Sequence, residues 1–425
     1  NLSLQEQPEQ RRTHQRCRDY VKLERNLQPD ARFCGARLPR LNPCWSERGA
    51  TFCLPRFFIL GEMKCGTTTL YELLLKHPRV LPPKTKEPRF LQTGRFGATT
   101  LSRYALEFAD AAKHDDAVTF DASPVYLRSP TARFWLARWL PESKLIVLVR
   151  DPVQRTYSHW KMGSDWLTSK CSSPAQIEGF EKVRPWITFE AVARRSLIMT
   201  HMKICGALNG IMRIRQGLLP VRWPEGVGGL NSSFGRCLLE RDEDLTHSFL
   251  DELDSRSPSK DFANALEKQG REAVQCSEMM LAPPSAVLKS ATYAAEIERW
   301  AKVFPPDQLM VIDTDDLTRR RQQLMNETFN FLGLSAVDVG SQSRFCVKGK
   351  AGVMDVLHAE DVNISFSGKT ARLQVGDCES DTATMHDERG VMHHNIDPTL
   401  QAQLRRFFEP HNQRLYRFLG RDLKW

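Results

Sequence analysis

The residues most able to do chemistry stand in Gly61-Glu62-Met63-Lys64-Cys65-Gly66-Thr67-Thr68-Thr69, where one lysine sits inside a glycine-bounded turn and three hydroxyls follow it. A turn that feeds a helix gathers unsatisfied backbone N–H groups and the positive helix end at one point, which suits a phosphate or sulfate. Gly61 and Gly66 have the spacing of a nucleotide P-loop, but Thr67 stands where that motif requires lysine, and the lysine present, Lys64, lies within the loop. The pattern therefore favours an anion cradle of another kind. A second candidate begins at Arg150 and runs through Asp151-Pro152 to Ser158. Here a guanidinium and a hydroxyl two helical turns along could hold one phosphate.

The elements that must position these groups can be read from the flanking sequence. Phe57-Phe58-Ile59-Leu60 reads as a buried strand ahead of the first turn, and Leu70, Leu73 and Leu74 mark one face of the helix after it, which Pro78 stops. Lys144-Leu145-Ile146-Val147-Leu148-Val149 is a second continuous apolar strand, as in a parallel sheet covered on both faces, and Pro152 suits the first turn of the next helix. Further strands are expected at 118–121 and 309–313, with helices near 293–304, 322–332 and 398–419. In the last helix Leu400, Leu404, Phe407, Phe408, Leu415 and Phe418 form the apolar face. Strands alternating with helices predict an α/β fold with a mostly parallel sheet and ligands at the strand carboxyl ends. The expected organisation is a Cys-rich cap or stem over residues 1–54 and one domain over 55–425, interrupted by an insert at 166–285 on the acceptor side. Residues 335–395 read as loop-rich.

Lys-x-Gly-Thr-Thr-x-Leu after an apolar strand, with Arg-Asp-Pro-x-x-Arg-x-x-Ser after a later one, resembles the 5′-phosphosulfate and 3′-phosphate motifs of carbohydrate sulfotransferases. Those enzymes use 3′-phosphoadenosine 5′-phosphosulfate (PAPS). The resemblance implies a P-loop-like sulfotransferase fold and gives Lys64, Cys65, Gly66, Thr67, Thr68, Thr69, Arg150 and Ser158 to the nucleotide. It also gives Lys64 the task of neutralising adenosine 3′,5′-bisphosphate as it departs, with no metal required. Lys86-Glu87-Pro88-Arg89-Phe90 resembles the family's Lys-Glu segment before an aromatic, which makes Glu87 the general base and puts Lys86 and Arg89 at the acceptor. Asp121-Ala122-Ser123-Pro124-Val125-Tyr126 resembles a segment beside the acceptor cleft and so assigns Asp121, Ser123 and Tyr126 to the acceptor as well. By the same resemblance Phe345 lies near the adenine, a Cys346–Cys378 disulfide flanks that loop, and Arg389 touches the 3′-phosphate. The aromatics Tyr293, Trp300 and Phe304 match a family helix and read as core. Asn42-Pro43-Cys44-Trp45 and Lys86-Glu87-Pro88 look most like the branch that adds a 6-sulfate to 4-sulfated N-acetylgalactosamine in chondroitin or dermatan sulfate. A heparan-type enzyme and a glycan-binding protein that has lost catalysis are the alternatives.

Composition agrees with such a reading. The chain has 425 residues, 41% of them hydrophobic, and a formal net charge of +9. A basic cleft for a sulfated glycosaminoglycan and a polyanionic nucleotide accounts for that sign. A nucleic-acid partner is not expected, because there is neither an RNP motif nor zinc-finger spacing. A kinase is disfavoured by the missing P-loop lysine and the lack of a clear magnesium carboxylate after a strand. The run Arg319-Arg320-Arg321 reads as a solvated helix face. His386, His393 and His394 read as loop histidines, without carboxylates at metal-ligand spacing. Eleven cysteines and four N-x-[ST] sequons, at Asn1, Asn231, Asn326 and Asn363, argue for an oxidising, glycosylating lumen. With Cys65 kept as a thiol in the anion loop, ten cysteines could form five disulfides, whose pairing the spacing leaves open. The expectation is a Golgi-lumenal portion whose membrane anchor lies upstream of Asn1.

Overall fold

The structure, a computed structural model, describes residues 42–47, 49–92, 98–114, 116–170, 188–205, 233–242, 284–340, 363–366, 369–372, 385–386, 392–393 and 396–425. They fall into two compact units, one built from 1–149, 296–345 and 356–376, the other from 150–295, 346–355 and 377–425.

The first unit opens with an antiparallel hairpin, β1 (Cys44–Glu47) and β2 (Ala50–Cys53), closed by a Cys44–Cys53 disulfide. Its body is a five-stranded, all-parallel sheet in the order β4-β5-β3-β6-β7, formed by β3 (Phe57–Gly61), β4 (Val80–Leu81), β5 (Val118–Asp121), β6 (Lys144–Val149) and β7 (Leu309–Asp313). This is the α/β architecture expected from the alternating pattern, and the strands at 118–121 and 309–313 lie where the sequence put them. The continuous apolar runs follow from burial on both faces. All five residues of β3 are buried, and Phe57 stacks on Phe120 of the neighbouring strand with ring centroids 4.9 Å apart. Burying one such side chain stabilises the fold by about 1.5–3 kcal/mol.

Flanking helices are α1 (Thr67–Leu75), α2 (Ala98–Leu106) and α3 (Pro130–Trp139). The Ser129 hydroxyl caps α3 by accepting from the Ala132 N–H at 3.0 Å. Trp300 and Phe304 are fully buried, as expected of core, and the Trp300 indole donates to the Leu127 carbonyl at 2.8 Å. Asn42 donates to the Ala117 carbonyl at 2.7 Å and accepts from the Thr119 N–H at 3.0 Å, which ties the hairpin to the sheet. The arginine run is not merely solvated: Arg319 pairs with Asp315, and Arg320 with Asp316 and Glu327. Within 335–395, read as loop-rich, a short hairpin forms at Asn363–Phe366 and Lys369–Arg372.

The second unit contains α4 (Pro152–Lys170), α5 (Phe189–Ile204), α6 (Ser233–Arg241), α7 (Pro284–Lys289) and the final helix α8 (Pro398–Leu419). Val153, Phe189, Leu197, Leu288, Leu400, Leu404 and Phe408 share one core. The final helix spans the expected residues, and Asp397 caps it by accepting from the Leu400 N–H at 2.8 Å. Its apolar face is narrower than expected, since Phe418 is exposed. A Cys205–Cys237 disulfide joins α5 to α6 inside the insert.

Candidate active site

The loop from Gly61 to Gly66 is held from below by backbone and from the side by a buried carboxylate. Glu62 donates its N–H to the Leu148 carbonyl at 3.0 Å and accepts from the Cys65 N–H at 3.1 Å. The Glu62 side chain is buried, accepts from the Met63 N–H at 2.9 Å and is ion-paired with Arg128. Gly61 must be glycine, because a Cβ there would lie 2.5 Å from the Pro124 carbonyl oxygen. Gly66 has φ 80°, where a side chain is strained, and a Cβ would meet Leu317 and Thr314, each at 3.1 Å. Gly66 also offers no side chain to cap α1, which leaves the first-turn N–H groups of Thr67, Thr68 and Thr69 as donors for an outside anion. Lys64 is half-buried and takes a left-handed φ of 71°. The cost of such a backbone is of order 1–3 kcal/mol and is characteristic of functional turns. Cys65 is a buried thiol, as expected.

The Lys86–Arg89 segment is brought against this loop. Lys86 donates from Nζ to Thr68 Oγ1 at 3.0 Å and lies 5.4 Å from the centre of the Tyr71 ring. Burial holds its ammonium below the usual lysine range, partly offset by the Glu87 and Glu72 carboxylates. Lys86, expected at the acceptor, has its ammonium engaged by the first turn of α1. Glu87 and Arg89 both take left-handed φ, 58° and 54°, on either side of Pro88, and Arg89 Nη2 reaches Glu87 Oε2 at 2.7 Å.

Asp121, Ser123 and Tyr126 lie beneath this segment, all fully buried. Tyr104 and Tyr126 both donate to Asp121 Oδ2, at 2.7 and 2.9 Å, and Ser123 donates to Oδ1 at 2.6 Å. The same groups then hold backbone: Ser123 Oγ accepts from the Arg89 N–H at 2.9 Å, and Tyr126 Oη from the Leu91 N–H at 3.1 Å. Burial raises the Asp121 carboxyl to about 6 against the pull of its three hydroxyl donors, with Glu87 adding to the rise. These three side chains, expected at the acceptor, thus support the segment that carries Glu87 and Arg89.

Sequence reasoning missed the remaining supports. Thr314 Oγ1 lies 2.8 Å from the carbonyls of both Cys65 and Val149, tying the loop to the ends of two strands. Asp313, at the end of β7, is buried, and that burial together with Asp315 raises its carboxyl to about 7. Glu72 is buried on α1 with its carboxyl raised for the same reason. A Ser or Thr at a strand end is the only trace Thr314 leaves in the sequence, and nothing marks Asp313 or Glu72 before the strands are assembled.

In the second unit Arg150 stands between the end of β6 and α4, and its carbonyl accepts from Tyr293 Oη at 2.8 Å. Asp151 Oδ1 accepts from the N–H groups of Val153 and Gln154, at 2.7 and 3.3 Å, so this helix start is capped from within the chain. Ser158 lies on α4, half-buried. Arg155, within the same motif, is fully buried and donates to Ser290 and to the Val287 carbonyl, a packing role. Phe345, Arg389 and the expected Cys346–Cys378 pair lie outside the described residues. Among the described residues no cluster of three or more His, Cys, Asp or Glu is arranged to hold a metal ion, and no helix is long and apolar enough to cross a membrane.

Residues 54–202 match the family described as Sulfotransferase domain. The chain is 22% identical over 394 residues to the membrane-associated sulfotransferase kil1 of Dictyostelium discoideum, covering 90% of this chain and 69% of that protein. It is 31% identical over 178 residues to mouse carbohydrate sulfotransferase 15, covering 31% of this chain and 30% of the relative. It is also 30% identical over 132 residues to mouse bifunctional heparan sulfate N-deacetylase/N-sulfotransferase 4, covering 28% and 15%. The chain therefore spans less than a third of these last two proteins. The matched segment contains the loop at 61–66, the Glu87 segment, the Asp121 cluster and the Arg150 turn.

Proposed function

We propose that this protein transfers a sulfuryl group from PAPS to a hydroxyl of a glycosaminoglycan. The observation that carries the reading is the 3.0 Å bond from Lys86 to Thr68. It joins the residue beside the candidate base to the first turn of the anion loop, so proton acceptance and anion binding are neighbours in one unit. PAPS supplies an activated sulfuryl group whose leaving group is adenosine 3′,5′-bisphosphate. The N–H groups of Gly66 to Thr69 and the threonine hydroxyls hold the 5′-phosphate, and Lys64 neutralises charge on the bridging oxygen as it departs. Glu87 takes the proton of the attacking hydroxyl while its oxygen bonds to sulfur and the sulfur–nucleotide bond breaks. Cys65 lines the loop. Arg150 and Ser158 are assigned to the 3′-phosphate, and Phe345 and Arg389 to the nucleotide, on motif grounds alone. No step calls on a metal.

For the acceptor we favour the 6-hydroxyl of 4-sulfated N-acetylgalactosamine in chondroitin or dermatan sulfate, with Arg89 nearest to it. The carbohydrate sulfotransferase 15 match is compatible with that choice; the heparan sulfate relative keeps a heparan acceptor as the competing outcome. Disulfides and sequons suit work in the Golgi lumen, and the membrane association in kil1's name is compatible with an anchored lumenal portion.

The test is transfer of label from PAPS to chondroitin 4-sulfate, unsulfated chondroitin and heparan sulfate. The expected result is transfer to chondroitin 4-sulfate above the other two, and a loss of about a hundredfold or more in Glu87→Gln. Unchanged turnover in that variant removes Glu87 from the mechanism. Binding of the polymers without transfer to any of them leaves a glycan-binding protein.

A further inference from the structure

Arg89 occupies one oxygen of the candidate base. Its Nη2 lies 2.7 Å from Glu87 Oε2, and the two side chains differ sharply in exposure, 55% for arginine and 11% for glutamate. A lone pair filled by a guanidinium N–H cannot accept a proton along the same direction. The backbone of the pair is fixed: Pro88 stands between two left-handed residues, and the Arg89 N–H is held by the buried Ser123 hydroxyl. What can move is the long, exposed arginine side chain, which has many rotamers available. Lys86 remains beside Glu87 whatever Arg89 does, because its ammonium is engaged by Thr68.

We propose that Arg89 is a specificity-determining cap: an anionic group of the acceptor, a sulfate or carboxylate near the reacting hydroxyl, draws the guanidinium off Glu87 and so frees the base only when an acidic acceptor is in place. This rests on the sulfuryl-transfer reading above. The planar fork of arginine matches sulfate and carboxylate oxygens, so the exchange replaces one charge-assisted pair with another. The cap also guards the donor. With Glu87 uncovered and no acceptor present, water can attack sulfur, its proton passing to Glu87. One S–O bond to water forms, the S–O bond to the nucleotide breaks, and sulfate and adenosine 3′,5′-bisphosphate are released.

The experiment uses labelled PAPS with the wild-type chain, Arg89→Ala, Arg89→Lys and Arg89→Ala/Glu87→Gln. The acceptors are chondroitin 4-sulfate and a desulfated, carboxyl-reduced chondroitin that carries no anions. Arg89→Ala is expected to lose about tenfold or more in kcat/KM on the sulfated polymer, mainly through KM, while activity on the neutral polymer rises. Arg89→Lys, with charge but no fork, falls between. Sulfate release without acceptor rises severalfold in Arg89→Ala and falls back in the double variant. Equal losses on both polymers, with no rise in acceptor-free release, overturn the cap and leave Arg89 as packing. If the wild-type chain moves label to neither polymer and not to heparan sulfate, the function reading itself fails and the cap fails with it.

Discussion

The turn after β3 and the turn after β6 both lead from a buried parallel strand into a helix, and their helix starts are used in opposite ways. In the first, the cap position is Gly66 and the first turn of α1 keeps its N–H groups for an outside ligand. In the second, Asp151 spends those donors within the chain and is itself ion-paired with Arg405 at 3.5 Å. One turn can therefore bind an anion through backbone, with Lys64 as an added charge. The other has only side chains to offer, Arg150 and Ser158. A backbone cradle demands strained, glycine-dependent geometry; a side-chain clamp needs only a regular helix and the right residues on it.

Four substitutions would break or sharpen this contrast. Lys64→Ala removes the charge of the open turn and should lower kcat by about a hundredfold to a thousandfold. Rapid-quench transfer assays would read it, and a loss confined to KM would mean that Lys64 binds substrate without serving the transition state. Gly66→Ala puts a methyl against Leu317 and Thr314 at φ 80°. It should weaken adenosine 3′,5′-bisphosphate binding by roughly 5- to 150-fold, equivalent to about 1–3 kcal/mol of backbone strain. Calorimetry showing wild-type affinity would mean that the cradle does not depend on this turn.

At the capped turn the same kind of damage should appear in stability and not in the cradle. Asp151→Ala is expected to cost about 1 kcal/mol, a drop of about 2–4 °C in Tm by scanning calorimetry. A larger loss would point to the Arg405 pair as a further support. A pH-dependent effect concerns the strand end that holds the open turn through Thr314. The folded Asp313 carboxyl titrates at about 7, above the roughly 3.9 of an unfolded aspartate. Its protonated form therefore adds stability that is full below about pH 4 and is lost as pH rises through 7. Asp313→Asn should abolish that decline, so its Tm gains a few degrees on the wild-type value between pH 5 and pH 8. Parallel Tm profiles would show that Asp313 does not titrate in this window.

The legible parts of the molecule were those specified by local pattern. The runs around Phe57–Leu60 and Leu145–Val149 are apolar without interruption because both sheet faces are covered, and they gave the parallel sheet directly. Gly61 and Gly66, with Lys64 between them, marked the turn into α1 that is the candidate anion loop. Asp121, Ser123 and Tyr126 were found by motif, but their bonds to Tyr104, Arg89 and Leu91 were not: a short polar segment after a strand looks alike whether it faces a ligand or supports another loop. The Lys86–Thr68 bond was missed for a related reason, since Thr68 is eighteen residues away and nothing local announces the bond. The split into units after Val149 has no signal in composition, as Arg150 follows the strand without a linker.

By itself the sequence determined the strand–turn–helix grammar, the residue types at both candidate anion segments and the adjacency of Lys86, Glu87 and Arg89, because each depends on neighbours a few positions apart. Tertiary structure decided which of those groups meet. Asp121 became a buried hub once Tyr104, Ser123 and Tyr126 closed on it; Thr314 was carried from 249 residues away to the Cys65 carbonyl; and the Glu87 carboxylate came to share its oxygen with Arg89. Hydrogen bonds and ion pairs act over about 3 Å, and only the packing of the sheet and its loops brings distant residues within that range.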